Sequence, residues 1–277
     1  MRSASAAILA FVLVQAAASD TRETRLPDRD AFMALARSAV RLDSELQKDF
    51  TYVERRRDVK VGALGKVYVG PLRTFEVFPS ADPSQTYKRL IAIDGKALDP
   101  AELRKRDLEH ERDVEDETQR RRAETAAQQA RRLERVERDR RPAAAILEDA
   151  FKVFEPTIVA RETIAGASTI VVDMTARPNA RVSTREGSWM KEFHGRAWFQ
   201  EEDGQFARLE VQAIDDVSVG WGLVGRLHKG SRIVVERQRI GRQWLPWRLT
   251  FDASGRTLLF RTFDVNVVTE YSEYKLK

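Results

Sequence analysis

The chain has three histidines, His110, His194 and His228, and no cysteine among its 277 residues. The missing thiols exclude a cysteine nucleophile, thiolate metal ligation and disulfide staples. The histidines are far apart in sequence, and a His-rich metal site is not expected. His110 lies in a charged run, His194 precedes a strand, and His228 sits in a Gly-rich loop. His110 reads as solvated, and a lone histidine such as His194 or His228 reads as structural rather than catalytic. Paired carboxylates can move protons, but Glu201-Glu202-Asp203-Gly204 has the composition of a hairpin turn and Asp215-Asp216 that of a strand end. Adjacent carboxylates in such places are solvated. No GxSxG, HExxH, P-loop or GxGxxG stands in a suitable context. The residues point away from an enzyme and imply no metal and no cofactor.

Binding is better represented. From Gly220 to Gly230 the chain sets Trp221, Leu223, Val224 and Leu227 among four glycines. An apolar loop with a permissive backbone suits the mouth of a hydrophobic pocket. It equally suits a turn that tucks its side chains into the core. With Trp198 on a strand before this loop and Trp247 on one after it, the candidate lining set is Trp198, Trp221, Leu223, Val224, Leu227 and Trp247. Such a site would take an apolar or acylated ligand, driven by ~0.8 kcal/mol per buried CH₂.

The elements that must position these residues follow from periodicity. Met1-Arg2 and the apolar stretch Ala6 to Ala18 read as a signal peptide, cleaved after Ala18 or Ser19. The stretch is short of the ~20 residues a membrane span needs. No cysteine follows it, so the mature protein is expected to be a soluble, periplasmic non-lipoprotein, a single domain over 19–277. Phe32, Leu35, Ala36, Ala39, Leu42 and Leu46 recur at helical spacing, with Asp28 or Asp30 as cap. Short strands follow at 50–53, 66–69, 74–78 and 87–93, punctuated by Gly70-Pro71 and the hairpin signal Asp94-Gly95.

Composition changes at Asp99. From there to Arg141, 26 of 43 residues are charged, 13 of each sign, and Gly is absent. Opposite charges one turn apart, such as Glu102/Arg106 and Glu117/Arg121, support a helix by ~0.2–0.5 kcal/mol each. The expectation is a solvated helical insertion over 99–141, ended or kinked by Pro142, with a short amphipathic helix after it. Beyond Pro156 the pattern is strand after strand, with Gly166, Gly204, Gly230, Gly241 and Gly255 in the links. Links this short make antiparallel pairs. Several strands are apolar on both faces, which calls for a cover on each side. The charge balance, 48 basic against 43 acidic residues with net +5, describes a mixed surface. Nucleic acid is not an expected partner.

The order of these elements resembles the LolA-like superfamily of exported lipoprotein carriers. The resemblance rests on the hairpin Ile91-Ala92-Ile93-Asp94-Gly95-Lys96, on Gly195-Arg196-Ala197-Trp198-Phe199, Leu209-Glu210 and Lys229-Gly230-Ser231, then on Gln243-Trp244-Leu245-Pro246 and Thr269-Glu270-Tyr271-Ser272-Glu273-Tyr274. It implies a mainly β fold with helices: a strongly curved antiparallel sheet, or half-open barrel, packed by the N-terminal helix. The charged helix at 99–141 departs from the compact carrier. Two functions follow as expectations. The first is a periplasmic carrier or binding protein for a lipid or lipoprotein-like ligand. The second is a cell-envelope sensor or scaffold that meets a protein partner through the 99–141 helix.

Overall fold

A computed structural model describes residues 25–80, 85–219, 225–257 and 261–277. The expected signal peptide lies outside them, as do Trp221, Leu223 and Val224. Helix α1 (Arg29–Ala39) starts where Asp28 accepts a hydrogen bond from the Ala31 amide at 3.0 Å. Its buried residues, Phe32 and Ala36, lie one turn apart and form its inner face. A short helix α2 (Asp43–Gln47) follows.

The first strand block is β1 (Phe50–Val61), β2 (Val67–Phe78), β3 (Tyr87–Ile93) and β4 (Lys96–Ala97). Gly70-Pro71 does not break β2, because the register slips opposite it, between Arg57 and Val59 of β1. A bulge leaves Pro71 without a ladder bond to lose. Asp94 and Gly95 both take positive φ, as a tight hairpin turn requires.

The charged segment forms two helices rather than one. Helix α3 (Pro100–Arg122) begins with Asp99 accepting from the amides of Ala101 and Glu102. It stops at Ala123. The Thr125 hydroxyl accepts from the Gln128 amide while Gln128 Oε1 accepts from the Thr125 amide, and this capping box starts α4 (Ala126–Val153). Pro142 sits inside α4 and does not end it. Burial of Asp149 and Val153 further along holds the helix past the one missing backbone bond. The expected short amphipathic helix is the end of α4.

The second block is β5 (Phe154–Ile164), β6 (Ala167–Ala176), helix α5 (Arg185–Met190), β7 (Phe193–Gln200), β8 (Phe206–Ala213), β9 (Val217–Val219), β10 (Gly225–Leu227), β11 (Arg232–Ile240), β12 (Gln243–Thr257) and β13 (Thr262–Leu276). β12 runs through Gly255, which had been expected to be a turn. β13 runs without a break to Leu276.

All pairings are antiparallel and form one sheet in the order β4-β3-β2-β1-β13-β12-β11-β8-β7-β6-β5, with β10 on β12 and β9 on β10. The last strand pairs with the first, Phe50 facing Leu276. The strongly curved half-open barrel expected from the resemblance is not formed. The sheet is an open path whose ends, β4 and β5, do not pair, and the architecture is a mixed α/β sheet fold. The two ends are joined through α3 and α4. At 1.5 Å per residue their 23 and 28 residues span about 35 and 42 Å. We call this pair of helices the arch.

One face of the sheet is apolar. Ile170, Val172, Ala197 and Phe199 pack there against Phe32 and Ala36 of α1. Gly204 makes this approach possible: its φ is +71°, and an added Cβ would stand 2.8 Å from the Ala36 nitrogen. Further along, Tyr52, Phe75 and Val77 form a cluster with Leu90, Tyr271 and Tyr274, and Ala253, Val265 and Val267 form another with Val67 and Leu227.

Candidate functional site

Residues directly opposite on neighbouring strands share a face. One register row runs Trp198 (β7), Arg208 (β8), Glu236 (β11), Arg248 (β12), Glu270 (β13) and Arg55 (β1). This face carries the charges, beside a buried apolar cluster of Val171, Trp198, Ala207 and Trp244. Its arginines find carboxylates: Arg248 meets Glu270 at 2.8 Å, Arg196 meets Asp173 at 2.6 Å, and Arg208 and Arg232 both reach Glu210. The Glu210 carboxyl is partly buried, which raises its pKa, but the bonds from Arg232 and Arg208 outweigh this and hold it below the usual range.

Trp198 is buried on this face. Its indole N–H donates to Glu162 Oε2 at 2.8 Å, and the Arg208 guanidinium lies 5.2 Å from the ring centre. Trp247, at the register slip of β12, is 39% exposed beneath Arg248. The two tryptophans are three strands apart, about 14 Å at 4.8 Å per strand. Leu227 lies opposite Gly255, on the apolar face, and packs beside Val265 and Val267. The three described members of the expected lining set therefore do not converge on one pocket.

Two grooves lie at the end of the sheet where β9, β10, β12 and β13 meet the tip of the β1–β2 hairpin. One, of about 510 Å³, is bounded by Lys66, Val67 and Val69 on the hairpin side and by Phe263, Asp264 and Val265 on β13. The Thr257 hydroxyl donates to the Gly65 carbonyl and ties the hairpin to β12. The second groove, about 360 Å³, is lined by Asp216, Ser218, Arg226, His228 and Arg256. Here the register opposes Arg226 to Arg256, a like-charged pair. Sequence reading passed over it, because only the pairing of β10 with β12 brings the two side chains together.

The histidines separate. His110 of α3 stacks on Tyr87 of β3 at 3.7 Å, and Asp107 of α3 binds Arg89 of β3 at 2.7 Å. Together they fasten the start of the arch. His194 faces Gln212 on the charged face, and His228 borders the smaller groove. At the other end of the arch, the fully buried Asp149 of α4 accepts from the amides of Ser183 and Thr184 at 2.8 and 2.7 Å and from both hydroxyls. Burial works against its ionisation, but these bonds outweigh it and hold the carboxyl far below the usual range. Among the described residues, no group of three or more His, Asp or Glu side chains is placed to hold a metal ion. No helix among them is long and apolar enough to cross a membrane.

No protein-family model matches the chain, and no curated protein does. In three dimensions it aligns with a LolA superfamily protein from Nitrosomonas europaea at 11% identity and a TM-score of 0.29, over 91% of this chain and 94% of that one. A DUF1329 family protein from Desulfovibrio piger aligns at 10% identity and 0.30, over 89% and 92%. MucB in complex with MucA aligns at 9% and 0.22, over 88% and 94%. Likenesses this low transfer no function, and the assignment rests on this chain's own residues.

Proposed function

We propose that the chain is an exported, non-catalytic binding protein of the cell envelope that engages a protein partner through its helical arch. The observation that carries this reading is the allocation of surfaces. The apolar face of β6 and β7 is filled by the protein's own α1, with Phe32 and Ala36 seated on Ile170, Val172 and Phe199. An acyl chain would have to displace them. The arch, by contrast, is fastened at its two ends and at Glu117, which accepts from Gln85 at 3.1 Å, and leaves Leu108, Val114 and Leu133 about half exposed among charges. The export signal at residues 1–18 supports the compartment.

A photo-crosslinking residue placed at Leu108, Val114 or Leu133 in the native cell tests the reading, with Val159 on β5 as the control position. A specific adduct from the arch positions and none from Val159 is the expected result. Saturable binding of a fluorescent long-chain fatty acid, with no arch adduct, would overturn it in favour of a carrier. One observation favours that second reading: the 510 Å³ groove has Val67, Val69, Phe263 and Val265 in its walls with Lys66 and Arg261 at hand. Those residues would replace the set Trp198, Trp221, Leu223, Val224, Leu227 and Trp247 as the place to look for an acylated ligand.

A further inference from the structure

On the charged face, Arg196, Arg208, Arg232 and Arg248 each hold a carboxylate within 3.2 Å or less. The rule breaks at the end of the sheet. Arg226 of β10 stands directly opposite Arg256 of β12, and the same row continues to Ser218 on β9 and Thr262 on β13. Four hydrogen-bond donors, two of them cationic, therefore lie side by side across four strands. Side chains so opposed have Cβ atoms about 5 Å apart, and like charges there are destabilising. Among the described residues Arg256 has no carboxylate partner, and the one near Arg226 is Asp216 at 4.0 Å, the outer limit of an ion pair. His228 sits beside the pair in the 360 Å³ groove. This volume falls in the range of small-ligand sites.

We propose that this groove binds a phosphate-class oxyanion, bridged between the Arg226 and Arg256 guanidinium groups and completed by the Ser218 hydroxyl. The bridging anion turns the repulsion of the pair into two charge-assisted bonds, and a guanidinium's fork matches the oxygens of a phosphate. The anion is either a free phosphate or the phosphate headgroup of a lipid, since both present the same terminal oxygens. The site is independent of the arch and of the partner reading above.

Calorimetric titration of the full mature chain with inorganic phosphate, at constant ionic strength set by chloride, is one arm of the test. Flotation with phosphatidylcholine vesicles, with and without phosphatidic acid, is the other. Saturable binding in at least one arm is expected, weakened tenfold or more by Arg226→Gln or Arg256→Gln. Arg232→Gln, whose arginine is already paired with Glu210, should leave it unchanged. Binding of free phosphate identifies a soluble anion. Binding confined to phosphatidic acid vesicles identifies a headgroup. Binding in neither arm, or binding that survives both substitutions, overturns the proposal. A melting curve supplies a further check. Without phosphate and at low salt, Arg256→Gln should melt at or above the wild-type temperature, because the substitution relieves repulsion. A marked fall would mean that the arginine holds the fold rather than a ligand, and would also overturn the proposal.

Discussion

Trp198 and Trp247 have similar sequence settings, each among apolar neighbours on a strand, yet one is core and the other lies on the surface. Trp198→Ala should lower stability by ~3–5 kcal/mol, the usual loss for a large buried aromatic. Trp247→Ala should stay within about 1 kcal/mol. Denaturant titration of both variants reads the difference directly, and equal losses would contradict the placement. A second residue-scale prediction concerns the tyrosines packed near β1 and β13. Burial raises the Tyr52, Tyr271 and Tyr274 phenols, Tyr271 to about 12 and the other two further. Tyr274 donates to the Pro246 carbonyl at 2.7 Å and accepts from Gln47 at 2.9 Å. The fold thus favours the neutral phenol. Its contribution is complete below about pH 10, the ordinary tyrosine value, and is lost as pH rises toward about 12. Tyrosinate absorbance should show these three ionising together with unfolding. Smooth ionisation of the whole cluster near pH 10 in a still-folded protein would refute the assignment. The sequence marked these residues as aromatic and little else, because burial here depends on which strand lies beside which.

At the scale of elements, local signals were read well where they are local. Asp28 and the Asp94-Gly95 turn each act within three residues of their own position, and both were legible. The joint at Ala123–Thr125 was not, because the charge pattern runs through it unchanged and only the Thr125–Gln128 box divides it. The latch at Asp149 was hidden as well, since its partners lie some 34 residues away at Ser183 and Thr184. That latch yields a prediction against ordinary helix propensity. Gly187 is in α5, where alanine would normally stabilise by up to ~1 kcal/mol. A Cβ there would stand 2.6 Å from Asp149 Oδ2. Gly187→Ala should therefore lower the melting temperature, and a rise would show that the carboxylate is not seated as described. The depressed Asp149 carboxyl adds a pH signature of opposite sense to the tyrosines. Its stabilisation is complete above about pH 4, the unfolded value, and fades as pH falls through the lower folded one.

The whole molecule was half legible. Antiparallel strands, the N-terminal helix on an apolar face and an exposed charged excursion all follow from pattern. Closure does not, because nothing in a strand's alternation says whether the far edges of a long sheet meet. Here β4 and β5 stay apart and the chain goes between them through the arch. The middle of the arch should be the least protected regular structure in the protein. Hydrogen exchange should release amides of residues 112–140 well before those of β6 and β7, whose Ile170, Val171 and Val172 are buried. Equal protection would mean that the arch packs against something along its length.

The pairing of β1 with β13 has a consequence in time. Phe50 meets Leu276, and Lys277 reaches back to the carbonyls of Lys48 and Pro79. In the finished order β4-β3-β2-β1-β13, the only route among the described strands from the first strand block into the rest of the sheet is β13, made after the other twelve. A chain emerging amino end first can form the hairpins of β1 to β4 early, but must hold one side of β1 unpaired until β13 arrives. Pairings this distant in sequence make for slow folding. A nascent chain stalled before β13 would expose β1 as an open edge, ready for a chaperone or for aggregation.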